Sequence, residues 1–272
     1  MISGEFIVKK NKYLLPLASI LALGAYLRLF KINQAFPFDH DQEFVANSAY
    51  NFYVSDKLTL IGQELSFPGF FLGPLHNWIL FVPYKICNLS PACVPYFFIT
   101  VGLITAALLY LVVKKVTDKK TAVAAAAIYA LSFAAITSER GASSNFFLFL
   151  SSLGLFFALY KYFSWKDSAL PLGAFIAGLA TVNFNPVFIF STIAFFTTSL
   201  LRKNRKIAVY LLSVATFLIN YLPLVIFNFR HQNILWHNFE NFLTQNTAPL
   251  NFLQKLEYLA TEVALPFYTN FI

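Results

Sequence analysis

Apolar runs of about 17 residues or more, enough to cross the hydrocarbon of a bilayer, recur along almost the whole of this 272-residue chain. They occupy residues 14–31, 70–86, 95–113, 121–137, 145–163, 168–183, 186–201 and 207–228. A backbone in lipid must satisfy its own hydrogen bonds, so spanning segments are helices or closed barrels. No strand-like alternation is present, which leaves helices. Composition agrees: only 12% of residues are charged, against about 25% in soluble domains, and mean hydropathy is +0.63. The sequence predicts an all-α, polytopic membrane protein.

Lysines and arginines decide which runs cross. The run at 70–86, "FFLGPLHNWILFVPYKI", is short and interrupted by Gly73, Pro74, His76, Asn77 and Pro83. If it stays on one side and the N-terminus is cytoplasmic, 13 of the 20 Lys and Arg fall inside and 7 outside. If it crosses, the clusters "KKVTDKK" (114–120) and "RKNRK" (202–206) move outside, against the positive-inside rule. Residues 70–86 therefore read as an amphipathic surface helix, and 168–183 with 186–201 as a hairpin turning at "NFNP". The expectation is about seven spans in a transmembrane domain at 1–228, with a long outer loop at 32–94. An outer C-terminal segment follows at 229–272, and its abrupt end after "WHNFENFLTQN" suggests a piece of something longer. The N-terminal run, preceded by Lys9, Lys10 and Lys12, reads as an uncleaved first span of a plasma-membrane protein. A net charge of +8 spread over separate clusters gives no contiguous basic face, which sets nucleic acid aside as a partner. Cys87 and Cys93 pair if their loop faces an oxidising compartment and are otherwise two free thiols.

The first outer loop opens on "FPFDHDQEF" (36–44), with three of the chain's 12 acidic residues within five positions. Asp39, Asp41 and Glu43 admit three readings. They are a solvated acidic loop, or a divalent-cation site built on Asp39 and Asp41 with His40 between them. The third reading is a general base at the membrane surface, its pKa raised by like-charged neighbours and partial burial.

In this setting "DHDQE" (39–43), "LGPLHNW" (72–78), "SERGASSN" (138–145) and "LPLVIFNFRH" (222–231) together resemble the type C glycosyltransferases. The nearest kin by this resemblance are the protein O-mannosyltransferases and the aminoarabinose transferases of lipid A. Their pattern has an acidic pair early in the first outer loop, a Pro-Pro-Leu-like start to a surface helix, and an outer Arg after the third span. Two departures stand out: Asp41-Gln42 replaces the usual Asp-Glu, and Gly73 replaces the first Pro.

The resemblance implies transfer of a sugar from a polyprenyl-phosphate carrier to a lipid, glycan or protein acceptor on the non-cytoplasmic face. Asp41 would be the base, assisted by Asp39 or Glu43, and inversion would follow from a single displacement. Arg140 is the expected phosphate partner, because a guanidinium holds two oxygens at once. Its alternatives are a snorkelling interfacial arginine or a salt bridge to Glu139. Arg28 reads as a helix-end anchor or a second phosphate contact, and Arg230 with His231 as further candidates. His76 either orients a carrier or acceptor group or fills an amphipathic face; Lys57 lies in the same loop. Two other functions are a non-enzymatic or truncated membrane scaffold and a lipid-linked sugar transporter. Ion-coupled transport would place ionisable residues within the spans, which here are almost free of charge.

Overall fold

In the computed structural model the described residues are 13–32, 38–66, 68–203 and 206–245. Lys9, Lys10, Lys12 and Arg205 of the charge argument, residues 33–37 of the first loop and residues 246–272 of the C-terminal segment lie outside them. Among the described residues the only β pairing is an isolated bridge, Glu64 to Phe71; the rest is helix and loop. The protein is an all-α polytopic membrane protein.

The helices, in chain order, are α1 (Leu14–Leu29), α2 (His40–Ser55), α3 (Leu75–Ile86), α4 (Val94–Val116), α5 (Lys119–Leu131) and α6 (Phe133–Arg140). They continue as α7 (Phe147–Phe163), α8 (Ala169–Asn183), α9 (Ile189–Ser199), α10 (Ile207–Leu218), α11 (Leu222–Arg230) and α12 (Ile234–Gln245). Among the described residues three stretches are long and apolar enough to cross a membrane: Pro91–Val116, Ser144–Phe163 and Ile207–Arg230. The expected span at 121–137 is instead a bent pair, α5 and α6, meeting at 50°. Ser132 makes the break, because its backbone is extended and its hydroxyl accepts from the Ala135 N–H (3.4 Å), starting a new helix. The other three expected spans, α1, α8 and α9, are shorter apolar helices.

Hydrogen bonds between loops gather the helix ends into two faces. At one, the Tyr160 hydroxyl donates to the Lys115 carbonyl (3.2 Å), and Asp167 binds both Arg202 (2.8 Å) and Lys206 (2.7 Å). This is the basic end, where Asp118 caps α5 by accepting from the Lys120 and Thr121 N–H groups. At the other, Asn185 donates to Asn145 (2.8 Å), and the Ser144 hydroxyl donates to the Phe184 carbonyl (3.3 Å). Both ends of α3 lie on this second face: the Leu75 N–H donates to Asn183 (3.1 Å), and Cys87 is disulfide-bonded to Cys93 just before α4. The helix within the run at 70–86 thus begins and ends on one face, in keeping with a segment that does not cross.

The core sits around α8, which packs on α7, α9 and α10. Its buried face is made of small residues, Gly173, Ala174, Ala177, Gly178 and Ala180, which let helix backbones approach closely where no hydrophobic force drives them together. On the other side α1, α4 and α5 pack together, and α2 with α3 covers the second face. The aromatic centre of that cover is Phe98, Phe146 and Phe147, with Phe147 stacked on Phe184 at 4.6 Å.

Candidate active site

The clustering of acidic residues in "DHDQE" has a local cause. Asp39 is the N-cap of α2, and its carboxylate accepts from the Asp41 N–H (3.1 Å). Gln42 completes the capping box, its side-chain oxygen accepting from the Asp39 N–H (3.3 Å). Asp41 and Glu43 then occupy the first turn, where the partial positive charge of the helix N-terminus offsets their mutual repulsion. The three carboxylates have different surroundings. Asp39 is tied to the backbone, Glu43 is exposed outside the pocket, and Asp41 lines the pocket with Oδ1 accepting from Gln63 Nε2.

Gln42 also explains one departure from the family pattern. Its Nε2 donates to the Gly141 carbonyl (2.5 Å), a bond that a glutamate carboxylate in its place cannot make. That bond joins the N-terminus of α2 to the turn after α6, 99 positions away in sequence. Asp41 and Arg140 each stand one residue from it. Arg140 is half-buried and donates from Nη2 to the Phe30 carbonyl at the end of α1 (3.1 Å), with Ala142 in a left-handed conformation (φ 52°) just beyond.

Arg28 is placed differently from the phosphate contact expected of it. It is fully buried, with Nε 2.5 Å and Nη2 2.9 Å from the two carboxylate oxygens of Glu139. Nη1 donates to the carbonyls of Gly24 (3.1 Å) and Ala130, the latter near the break in α5–α6. Glu139 also accepts from the Tyr129 hydroxyl (3.3 Å) and lies so close over Gly102 that a Cβ there would be 2.1 Å from its Oε2. The salt bridge considered for Arg140 with Glu139 is therefore made by Arg28. Arg28 anchors the end of α1 inside the bundle and does not line the pocket.

Gly73 explains the second departure. Its N–H donates to the Val182 carbonyl (2.8 Å), which proline cannot do, and a Cβ would stand 2.2 Å from Asn183 Oδ1. Pro74 then opens α3 and sets His76 into the pocket wall. His76 is buried between the edges of Phe98 and Phe147, and its Nε2 has no hydrogen-bond partner among the described residues. Burial lowers its pKa from 6.5 to about 4, so the ring is neutral at ordinary pH.

The pocket has about 20 Å³ of free space, and its polar lining comes from Asp41, Gln42, Gln63, His76, Ser143 and Ser144. Tyr84 closes one side, its hydroxyl pushed up to about 12 by burial. Gln63, Tyr84 and the two serines were not singled out from sequence. The serines stood in the "SERGASSN" stretch, whereas nothing local marks Gln63, which reaches Asp41 through the hairpin-like loop at 62–72. Arg230 is exposed at the end of α11, outside the pocket lining, and the His231 ring stacks on Phe227 at 4.0 Å. Beyond it α12 lies on the loop, with Asn238 donating to the Gly69 carbonyl (3.1 Å) and Phe239 against Phe70. No group of three His, Cys, Asp or Glu that can hold a metal is found among the described residues, and the carboxylates of Asp39 and Asp41 are bonded to separate partners.

Residues 72–227 match the family described as dolichyl-phosphate-mannose-protein mannosyltransferase, and that stretch is more than half the chain. The chain belongs to this family. The resemblance to the protein O-mannosyltransferases carried by its motifs is thereby borne out. The matched stretch of this mannosyltransferase-family chain contains His76, Arg140, Ser143 and Ser144, and begins after Asp41. An uncharacterized protein of Aquifex aeolicus (strain VF5) is 29% identical over 238 residues, covering 78% of this chain and 44% of the relative. The chain spans less than half the length of that relative. No solved structure matches it.

Proposed function

We propose that this chain carries the catalytic pocket of a glycosyltransferase that moves a sugar from a polyprenyl-phosphate carrier to an acceptor hydroxyl on a lipid, glycan or protein. The observation that carries the reading is the Gln42–Gly141 bond. It brings the start of α2, with Asp41, and the turn after α6, with Ala142, Ser143 and Ser144, from distant parts of the sequence to one pocket. Arg140 stands beside that turn, outside the pocket lining. In the reaction, Asp41 takes the acceptor's proton as the acceptor oxygen bonds to the anomeric carbon. The bond from that carbon to the carrier phosphate breaks on the opposite side, so configuration inverts. Gln63 holds one oxygen of Asp41 and leaves the other for the acceptor. The neutral His76 and the Ser143 hydroxyl bind sugar hydroxyls, and Ser144, whose proton goes to the Phe184 carbonyl, accepts from one. Arg140 takes the departing phosphate with the guanidinium N–H groups that Phe30 leaves free. Asp39 acts as the helix cap and Arg28 as an anchor, each positioning the groups beside it. The Cys87–Cys93 disulfide suits an oxidising compartment, which supports a non-cytoplasmic pocket and a cytoplasmic N-terminus in a plasma-membrane protein.

The test is Asp41→Asn, assayed with whichever polyprenyl-phosphate sugar the unaltered chain turns over. Transfer should fall by a factor on the order of 100 or more, the scale of lost general-base assistance, with membrane insertion and melting temperature unchanged. Full transfer by this variant would overturn the assignment of the base.

A further inference from the structure

A second cavity lies at the opposite end of the molecule. Leu108, Leu111 and Val112 of α4 face Leu150, Leu153 and Phe157 of α7 across an apolar groove with about 270 Å³ of free space. Leu108, Leu111 and Lys115 on α4, like Leu150, Leu153 and Phe157 on α7, recur three, four and seven apart, so the groove runs parallel to two spanning helices. From Leu108 to Lys115 it extends about 10 Å at the rise of an α-helix, the length of a stretch of acyl chain. Leu108 and Leu111 are exposed, and on spanning helices an exposed apolar face meets lipid.

The mouth of the groove is cationic. The ammoniums of Lys115 and Lys161 both stand 5.3 Å from the centroid of the same Phe157 ring. Neither has a carboxylate within 4.0 Å among the described residues, although Asp118 and Asp167 are at the same end of the bundle. Asp167 is taken by Arg202 and Lys206, and Asp118 by the start of α5. Two like charges gathered on one ring at the end of an apolar slot are complementary to a single amphiphile with an anionic head and a hydrocarbon tail.

We infer that the α4–α7 groove is a binding site for an anionic phospholipid of the leaflet at the basic end. One acyl chain lies along Leu108, Leu111 and Leu153, and the headgroup phosphate sits between Lys115 and Lys161. The site is distinct from the sugar-transfer pocket. Val94, which lines that pocket, and Lys115 are separated by roughly 30 Å along α4, the thickness of a bilayer core. The inference does not depend on the transferase reading.

The experiment uses the full chain in nanodiscs of mixed phosphatidylglycerol and phosphatidylcholine, with lipid retained after mild detergent release counted by native mass spectrometry. Phosphatidylglycerol should be retained in preference to phosphatidylcholine. The Lys115→Gln/Lys161→Gln double variant should retain it roughly 30-fold more weakly, the scale for removing two basic residues at a lipid surface. Leu111→Trp, at an exposed position that tolerates bulk, should fill the slot and also abolish retention. Equal retention of the two lipids would overturn the proposal. So would Leu111→Trp holding phosphatidylglycerol as the unaltered chain does, because attraction would then come from a basic surface alone.

Discussion

His76 is the residue whose surroundings most constrain its chemistry. Its pKa falls from 6.5 to about 4 because the ring is buried, so the unfolded chain takes up a proton that the folded chain refuses. A depressed histidine contributes stability that is fully present above pH 6.5 and lost as pH falls towards 4. Asp118 and Asp167, whose carboxyls are held below their ordinary 3.8 by hydrogen bonds from Thr121 and Lys206 respectively, lose their contributions only at lower pH. The melting temperature should therefore drop between pH 6.5 and 4, and His76→Gln should flatten the drop in that window while leaving the fall below it. Gln42 offers a second test. In Gln42→Glu a carboxylate faces the Gly141 carbonyl without a proton to share, which should destabilise the fold by about 1–3 kcal/mol. Gln42→Ala should cost less, since it removes the bond without setting acceptor against acceptor; melting curves of the two variants decide the order. The acidic cluster was legible in the sequence as a site of interest, but its division of labour was not. Which carboxylate caps and which faces a pocket depends on Gln63 and Gly141, distant in sequence from the motif.

At the scale of elements, the buried Arg28–Glu139 pair fastens α1 to α6 beside the break at Ser132. Leaving one partner of a buried pair uncompensated costs about 3–5 kcal/mol, whereas replacing both by apolar residues of similar volume is often neutral. Arg28→Met and Glu139→Leu should each lower the melting temperature sharply, and the double variant should recover most of the loss. Additive losses in a double-mutant cycle would count against the pair. Six of the seven apolar segments are readable as helices because hydropathy is a local property of the chain. The bend within the seventh was missed for an instructive reason. Ser132 is only weakly helix-disfavouring in isolation, and its cap on α6 is joined at the break by Arg28 bonding to the Ala130 carbonyl across 102 positions. The sequence also shows an arginine near the end of α1 without showing its partner, so anchor and phosphate ligand looked alike until Glu139 was found opposite it.

For the whole molecule, both ends of α3 lie on one face and the lysine clusters lie on the other, so the alternation derived from charge follows the bundle. If the basic end is cytoplasmic, Thr117→Cys, in the exposed turn between α4 and α5, should resist a membrane-impermeant thiol reagent applied to intact cells. Labelling there would reverse the orientation. Charge alone carried this because a chain with few ionisable residues makes each cluster count. It did not carry the packing order, in which α8 is innermost: its small residues look like any other apolar run until neighbouring helices close on them.

The lining of the candidate pocket has an order in time as well as in space. Every residue that lines it falls between Asp41 and Ser144, so all of them are synthesised before α7. The helices that follow, α7 to α12, contribute no side chain to its wall, although Asn183 and Val182 later brace the loop at Gly73 and Leu75. During biosynthesis the wall can thus be drawn together by the Gln42–Gly141 bond while later helices are still being inserted. The later helices then act as a latch, fixing a cavity whose components are already in the membrane.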